Sequence, residues 1–313
     1  MSQSSEASGE SSIDQTEEPQ AIDDIRRSQH WPPSSLYVVA TPIGNRHDIS
    51  SRALQVLQAV DLIAAEDTRH SSVLTGHFTI DTPMIACHDH NEAAACKTVL
   101  ERLATGQCVA LISDAGTPLI SDPGYRIVKT VRENGYQVVP VPGACALISA
   151  LSASGLPTDR FSFEGFLPAK SEARQKRLQS LADADRTLVF YEAPHRIVAT
   201  LQAMELAFGG GREAVFAREL TKRYETIMDG TLAQLAERVA ADRNQQRGEM
   251  VILVRGAGAD EEEKSALEQE AERVLKILLA DLPAKQAATL AVQLTGLKKN
   301  YLYQRAIELS SQS

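Results

Sequence analysis

CVALISDAGTPLISDPGYRIVKTVRENG, residues Cys108 to Gly135, reads as a buried strand, a long loop and an amphipathic helix that stops at Gly135. The apolar run Cys108–Ile112 is continuous rather than alternating, as in a strand covered on both faces. The loop Ser113–Gly124 carries two Asp, two Gly and two Pro. A strand-to-helix connection needs only a few residues. A loop this long and this rich in special residues points to a ligand. On either side the same alternation continues. LYVVA (Leu36–Ala40), DLIAAE, PMIAC and QVVPVPG read as strands, and SRALQVLQAV, NEAAACKTVLERLATG and ACALISALSASGL as helices. Strands alternating with helices predict an α/β domain with a mostly parallel sheet.

The pattern changes after Pro157. From FSFEGFLP onward, TLVFYEAPHRI, EAVFARELT, ETIMDGTL and GEMVILVRG read as strands, several joined by links too short for a crossover helix, so antiparallel pairing is expected. The reading divides the chain into an acidic disordered tail (1–33), an N-terminal α/β domain (34–155) and a C-terminal α/β domain (156–257). A linker and helix (258–280) and a small helical, helix-turn-helix-like domain (281–313) follow. The net charge of −9 is concentrated in the tail and in the acidic run 260–273, so a local basic surface is compatible with it. No apolar run reaches the ~20 residues of a membrane span, and the N-terminal stretch lacks the features of a signal peptide. The four scattered Cys form no CxxC, which predicts reduced thiols in a cytoplasmic protein, with Cys108 and Cys145 as small core residues.

In open α/β sheets ligands gather at the carboxyl ends of the strands. Three polar or Gly/Pro loops leave such ends: ATPIGN, which holds Pro42 and Gly44, then Ser113–Gly124, then PVPGACA. Neither a GxGxxG nor a GxxxxGK[ST] pattern occurs, against dinucleotide and P-loop sites. AAEDTRHS reads either as a capped helix start, with Asp67 or Thr68 as N-cap, or as an acid–base and phosphate-contacting patch of Glu66, Asp67, Arg69 and His70. CHDHNE lacks the further ligands of a zinc site, and no metal is expected. Lys170, Arg174, Lys176 and Arg177 form either a solvated helix face or, were the chain an RNA enzyme, a phosphate-binding loop. Lys298, Lys299 and Arg305, near Tyr301 and Tyr303, add a second basic group close to the C-terminus.

VATPIGNRHDISSRAL, AAEDTRHS, LISDAGTPLISDPGYRIV, VPGACALISALSASGLPTDRFSFEGFLP, FYEAPHRI and ARELTKRYE together resemble the ribosomal RNA small subunit methyltransferase I family. The resemblance covers about residues 35–256, and 283–310 resembles the family's C-terminal helical domain. It implies two α/β domains of tetrapyrrole methylase type, with S-adenosylmethionine in a cleft between them. It also implies 2′-O-methylation of a ribose in small-subunit ribosomal RNA, a cytidine of the decoding region, in naked RNA or the assembled subunit. A homodimer is implied as well. Carried over onto this chain, Pro42, Gly44, Asp114, Ala115, Gly116, Thr117, Leu119, Ile120, Pro142 and Ala144 bind the cofactor from the first domain. Tyr191, Glu192, Ala217 and Met250 close it from the second. A ribose hydroxyl needs proton removal or stabilisation of its developing charge, for which the candidates are Asp67, Arg69, Glu219 and Lys222. Two other readings stand beside this one. A small-molecule methyltransferase acting on a tetrapyrrole would share fold and cofactor, and a non-catalytic RNA-binding protein would share only the fold. The wider superfamily usually has a GxGPG-like first loop, which here reads Thr41-Pro42-Ile43-Gly44-Asn45; that change, the basic segment and the appended C-terminal domain favour RNA, and the cofactor loops favour an enzyme.

Overall fold

The computed structural model describes residues 32–88 and 91–310, apart from the side chains of 259–266. The tail read from residues 1–33 lies outside it except for its last two residues, and so do Asp89 and His90 of the CHDHNE stretch.

The first sheet holds β1 (Ser35–Val39), β2 (Leu62–Ala65), β3 (Met84–Ala86), β4 (Val109–Ile112) and β5 (Gln137–Val141), in the order β3-β2-β4-β1-β5. All four pairings are parallel. Alternate side chains explain the unbroken apolar runs. Tyr37, Val39, Ile63, Ala65, Ala110 and Ile112 pack with Ala53, Val56 and Leu57 of α1 (Ser51–Ala59). Their neighbours Leu36, Leu62, Ala64, Val109 and Leu111 form the opposite layer, with α3 (Glu92–Ala104) and α4 (Tyr125–Glu133). α2 (Thr68–His77) follows β2 in the chain, and α5 (Ala146–Ala153) ends this part of it. Both faces are therefore covered, as parallel sheets require. β1 sits between β4 and β5, which brings the three polar loops to one edge.

The second sheet, in the order β6-β7-β10-β8-β9, comprises β6 (Phe161–Phe166), β7 (Thr187–Glu192), β8 (Glu213–Arg218), β9 (Thr226–Thr231) and β10 (Met250–Val254). β6 and β7 are parallel and flank α6 (Ser171–Gln179). The Glu219 N–H bonds Glu249 O and the Arg255 N–H bonds Glu213 O, both at 2.9 Å, so β8 and β10 run antiparallel. The helices of this part are α7 (Ile197–Phe208) and α8 (Leu232–Ala241). Internal contacts divide the chain into two units. The first takes Ala217–Ile227 and Gly248–Val251 together with everything through Ala153; the second takes the rest.

At the C-terminus, α9 (Ala259–Leu279), α10 (Ala284–Thr295) and α11 (Lys299–Ser310) share one core. α10 and α11 fall in the segment read as a small helical domain (281–313), and α9, in the segment read as linker and helix, adds Ala271 and Leu275 to the same cluster. Tyr301 and Tyr303 stand outside it, each about 40% exposed. Cys108 is buried and Cys145 half-buried. Among the described residues no helix is long and apolar enough to cross a membrane.

Candidate active site

The loops at the carboxyl edge of the first sheet are fastened to one another. Thr41 and Gly116 exchange backbone hydrogen bonds of 2.8 and 3.1 Å. The Thr117 hydroxyl donates to Ala144 O at 3.0 Å, tying in the loop after β5. Gly116 has a φ of +82°, and a Cβ there would lie 3.2 Å from Ile43 Cγ2. Its glycine thus serves the junction of two loops. Leu119 (φ 73°) and Ser121 (φ 68°) hold left-handed conformations without being glycine, a strain that the sequence did not announce and that clusters at functional sites. Carboxylates complete the framework. The Asp114 N–H donates to Glu66 Oε2 at 3.2 Å, and the Asp67 N–H donates to Asp114 Oδ1 at 3.0 Å.

Against this framework lies a cavity of about 300 Å³, lined by Thr41–Gly44, Arg46, His70, Ser71, Val73, Leu74, Ser113–Ala115, Lys222 and Glu249. All of them belong to the first unit. Lys222 arrives from a segment far along the chain, and Gly44 makes room for it: a Cβ at Gly44 would overlap Lys222 Cγ and approach Thr221 Oγ1 to 2.9 Å. The Asn45 N–H donates to that Thr221 hydroxyl at 3.1 Å. The Lys222 ammonium donates to Glu219 Oε1 and to Glu249 Oε2, both at 2.9 Å. Burial works against its charge, but the two carboxylates outweigh that and hold its pKa above the ordinary lysine value. Burial likewise opposes ionisation of Glu219. The Glu249 N–H, Lys222 and Arg218 prevail there and hold the carboxyl below its ordinary value. The result is a fixed positive charge between two negative ones at the wall of a cavity.

A family model described as tetrapyrrole (corrin/porphyrin) methylases matches residues 35–236, and one described as RsmI C-terminal HTH domain matches 265–310. Ribosomal RNA small subunit methyltransferase I of Pseudomonas aeruginosa is 58% identical over 279 residues, 89% of this chain and 99% of the relative. This chain belongs to that family. The Escherichia coli O157:H7 member is 53% identical, over 87% of this chain and 94% of the relative. Among solved structures, a cobalt precorrin-4 methyltransferase superposes with TM-score 0.56 at 17% identity, covering 71% of this chain and 95% of that one. A diphthine synthase superposes with TM-score 0.54 at 14% identity, covering 71% and 90%. These distant structures share the tetrapyrrole methylase fold. The methyl donor of the family is S-adenosylmethionine. The donor set of the cavity fits it: Asp114 and Glu249 suit cationic and hydroxyl groups, and Ile43, Val73 and Leu74 offer apolar wall.

With the family established, the candidate residues fall into distinct places. Pro42, Gly44, Asp114 and Ala115 line the cavity. Gly116, Thr117 and Ala144 build the junction of the loops, and Pro142 is exposed beside it. Leu119 packs into the core against the sheet, so its side chain stabilises the loop; Ile120 is half-buried. Ala217 and Met250 are buried. Tyr191 packs edge-on against Phe163 and Phe166. Glu192 requires a correction. Its side chain is fully buried and bonded to Arg196, to the Thr200 hydroxyl and to the Ala193 N–H, so the carboxylate is not offered to a ligand.

Asp67 caps α2 through the Arg69 N–H at 2.9 Å and pairs with the exposed Arg69 side chain. Those hydrogen bonds from Arg69 hold its pKa down to about 2. Neither lines the cavity, whereas their neighbours His70 and Ser71 do. Arg174 also requires correction as a phosphate contact: it is 7% exposed, one turn before the buried Leu178 of α6. Arg177 pairs with Glu164 at 2.5 Å, while Lys170 and Lys176 remain exposed. Arg305 is bound to Glu272 and Glu308. Sequence reasoning missed Glu249. Its signal was a lone acid between Gly248 and the apolar run of β10.

Asp122 closes the long loop. Burial raises its pKa to about 6; a hydrogen bond from Ser113 opposes the rise and the charges of Glu66 and Asp114 add to it. The proton therefore favours the folded state. Its contribution is complete below the ordinary carboxylate range and is lost as pH rises through about 6. Asp122→Asn is expected to gain on the order of 1–2 kcal/mol over wild type at pH 7.5 and nothing at pH 4. Urea unfolding at both pH values checks this; an equal difference at each would rule out titration as its source.

Proposed function

We propose that the chain transfers the methyl group of S-adenosylmethionine to a ribose 2′-hydroxyl in small-subunit ribosomal RNA, at a cytidine of the decoding region. The carrying observation is the Lys222 ammonium, fixed between Glu219 and Glu249 at the wall of the cavity. When bound, the cofactor supplies a methyl group activated by its positive sulfur. The loops around Pro42, Gly44, Asp114, Ala115 and Thr117 would hold it. A ribose hydroxyl is a weak nucleophile at neutral pH, so the acceptor needs help from the protein. Lys222 supports the negative charge that develops on the 2′-oxygen, and Glu249, the more exposed of its two partners, accepts the proton. Glu219, braced by the Glu249 N–H, keeps Lys222 in place. Mass mapping of ribose methylation in ribosomes from a strain lacking the gene tests the reading. One missing 2′-O-methyl group is expected, restored by the gene; an unchanged pattern would overturn it. The homodimer implied by the resemblance and the cytoplasmic location read from the cysteines belong to the same proposal, and light scattering checks the former.

RNA binding by α6 rests on Lys170 and Lys176, since Arg174 is buried and Arg177 is paired. Neutralising both lysines is expected to make log K against log salt shallower by about 1–2, without changing cofactor affinity. An unaltered slope in filter binding over a salt series would leave them as solvating charges.

A further inference from the structure

The segment that delivers Lys222 to the cavity ends in a second feature that the methyl-transfer chemistry does not use. Tyr224 is 63% exposed, yet its backbone is held on several sides. Its carbonyl accepts from the buried Arg218 guanidinium at 3.0 Å and from the Thr226 hydroxyl at 3.2 Å. The turn around it is closed by Lys222 N–H to Glu219 O, Glu225 N–H to Lys222 O, and Thr221 N–H to Glu225 Oε2. Glu219 and Thr221 sit at positive φ, conformations that only such a closed set of bonds maintains. The exposure of the ring is therefore a feature of an ordered turn. Arg223 places its guanidinium carbon 5.5 Å from the ring centroid, within cation–π range.

The surroundings say what such a ring would meet. Two residues away, Lys222 lines the cavity, as does the exposed Arg46. Within this segment only Ile227 is a further exposed large apolar side chain. That patch is too small for a stable protein interface, which needs a contiguous face of many residues. A single π face with a guanidinium beside it matches one unpaired base and its neighbouring phosphate. We propose that Arg223 and Tyr224 form a stacking platform for an unpaired RNA base flanking the nucleotide to be methylated. This rests on the RNA reading above.

Two assays with the full chain separate the platform from that reading. With small subunits lacking the modification as substrate, Tyr224→Ala is expected to raise KM roughly 5- to 100-fold, with kcat and cofactor affinity unchanged, and Tyr224→Trp to restore the wild-type value. In parallel, binding of a single-stranded oligoribonucleotide, read without turnover, is expected to fall in Tyr224→Ala and recover in Tyr224→Trp. A wild-type KM and wild-type oligonucleotide binding in Tyr224→Ala would overturn the platform. So would an equal loss in the Ala and Trp variants, or a change of oligomeric mass in Tyr224→Ala, which would assign the ring to a contact between copies. Tyr224-dependent oligonucleotide binding without methylation by the wild type would retire the ribose reading and leave the platform standing.

Discussion

Lys222→Met is expected to slow methyl transfer by roughly 10²-fold or more in single-turnover assays at saturating cofactor and RNA, with both ligands still bound. Methionine keeps the unbranched stem that passes Gly44, so the change removes charge and hydrogen bonds with little change of bulk. Glu219 keeps its bond from the Glu249 N–H, so the turn retains its main brace. The raised pKa of Lys222 adds a second expectation: its charge persists through the alkaline range in which a free lysine begins to titrate. Any decline of the rate attributable to Lys222 should accordingly come at higher pH than the titration of a free lysine. Glu249→Gln separates the roles of the two partners. If Glu249 takes the proton, the Gln variant loses rate as Lys222→Met does. Turnover within about threefold of wild type in Lys222→Met would make the Glu–Lys–Glu set a structural brace.

The parallel sheet was legible because its strands are buried on both faces: VALI of β4 contributes Val109 and Leu111 to one layer and Ala110 and Ile112 to the other. The loops at the carboxyl edge of the sheet were legible because left-handed turns and tight junctions concentrate Gly, Pro and Asp. The cavity wall was less so. Glu249 meets Lys222 only because β8 and β10 pair in one antiparallel register, which local composition does not encode. Arg174 shows the opposite case, a signal present and unread. It stands four residues before the fully buried Leu178, on the same face of α6, so helical spacing already turned it away from solvent. Asp67 obeyed the simpler of its two readings, the N-cap, because an exposed carboxylate before a helix finds free N–H groups at no cost.

Glu192→Ala is expected to cost about 3 kcal/mol of stability, lowering the unfolding temperature by roughly 5–10 °C, with cofactor affinity falling only as far as the fold is perturbed. The carboxylate ends β7 and turns back on the chain that follows. It accepts from Thr200, whose side chain is in the core, and pairs at 3.1 Å with Arg196, which is 18% exposed. Removing it takes the counter-charge from the Arg196 guanidinium, which keeps its bond to Leu167 O, and the acceptor from the buried Thr200 hydroxyl; breaking a pair from one side in this way is costlier than never having built it. Glu192→Gln keeps the shape and can still accept from Thr200, so it should retain more of the stability than alanine does. A residue that held the cofactor through its carboxylate would behave in the opposite way. Affinity measured by titration calorimetry at 10 °C, where both variants stay folded, would drop by an order of magnitude or more while thermal unfolding of the free protein barely moved. The i, i+4 spacing of Glu192 and Arg196 across a strand end and a helical turn makes the first outcome the expected one.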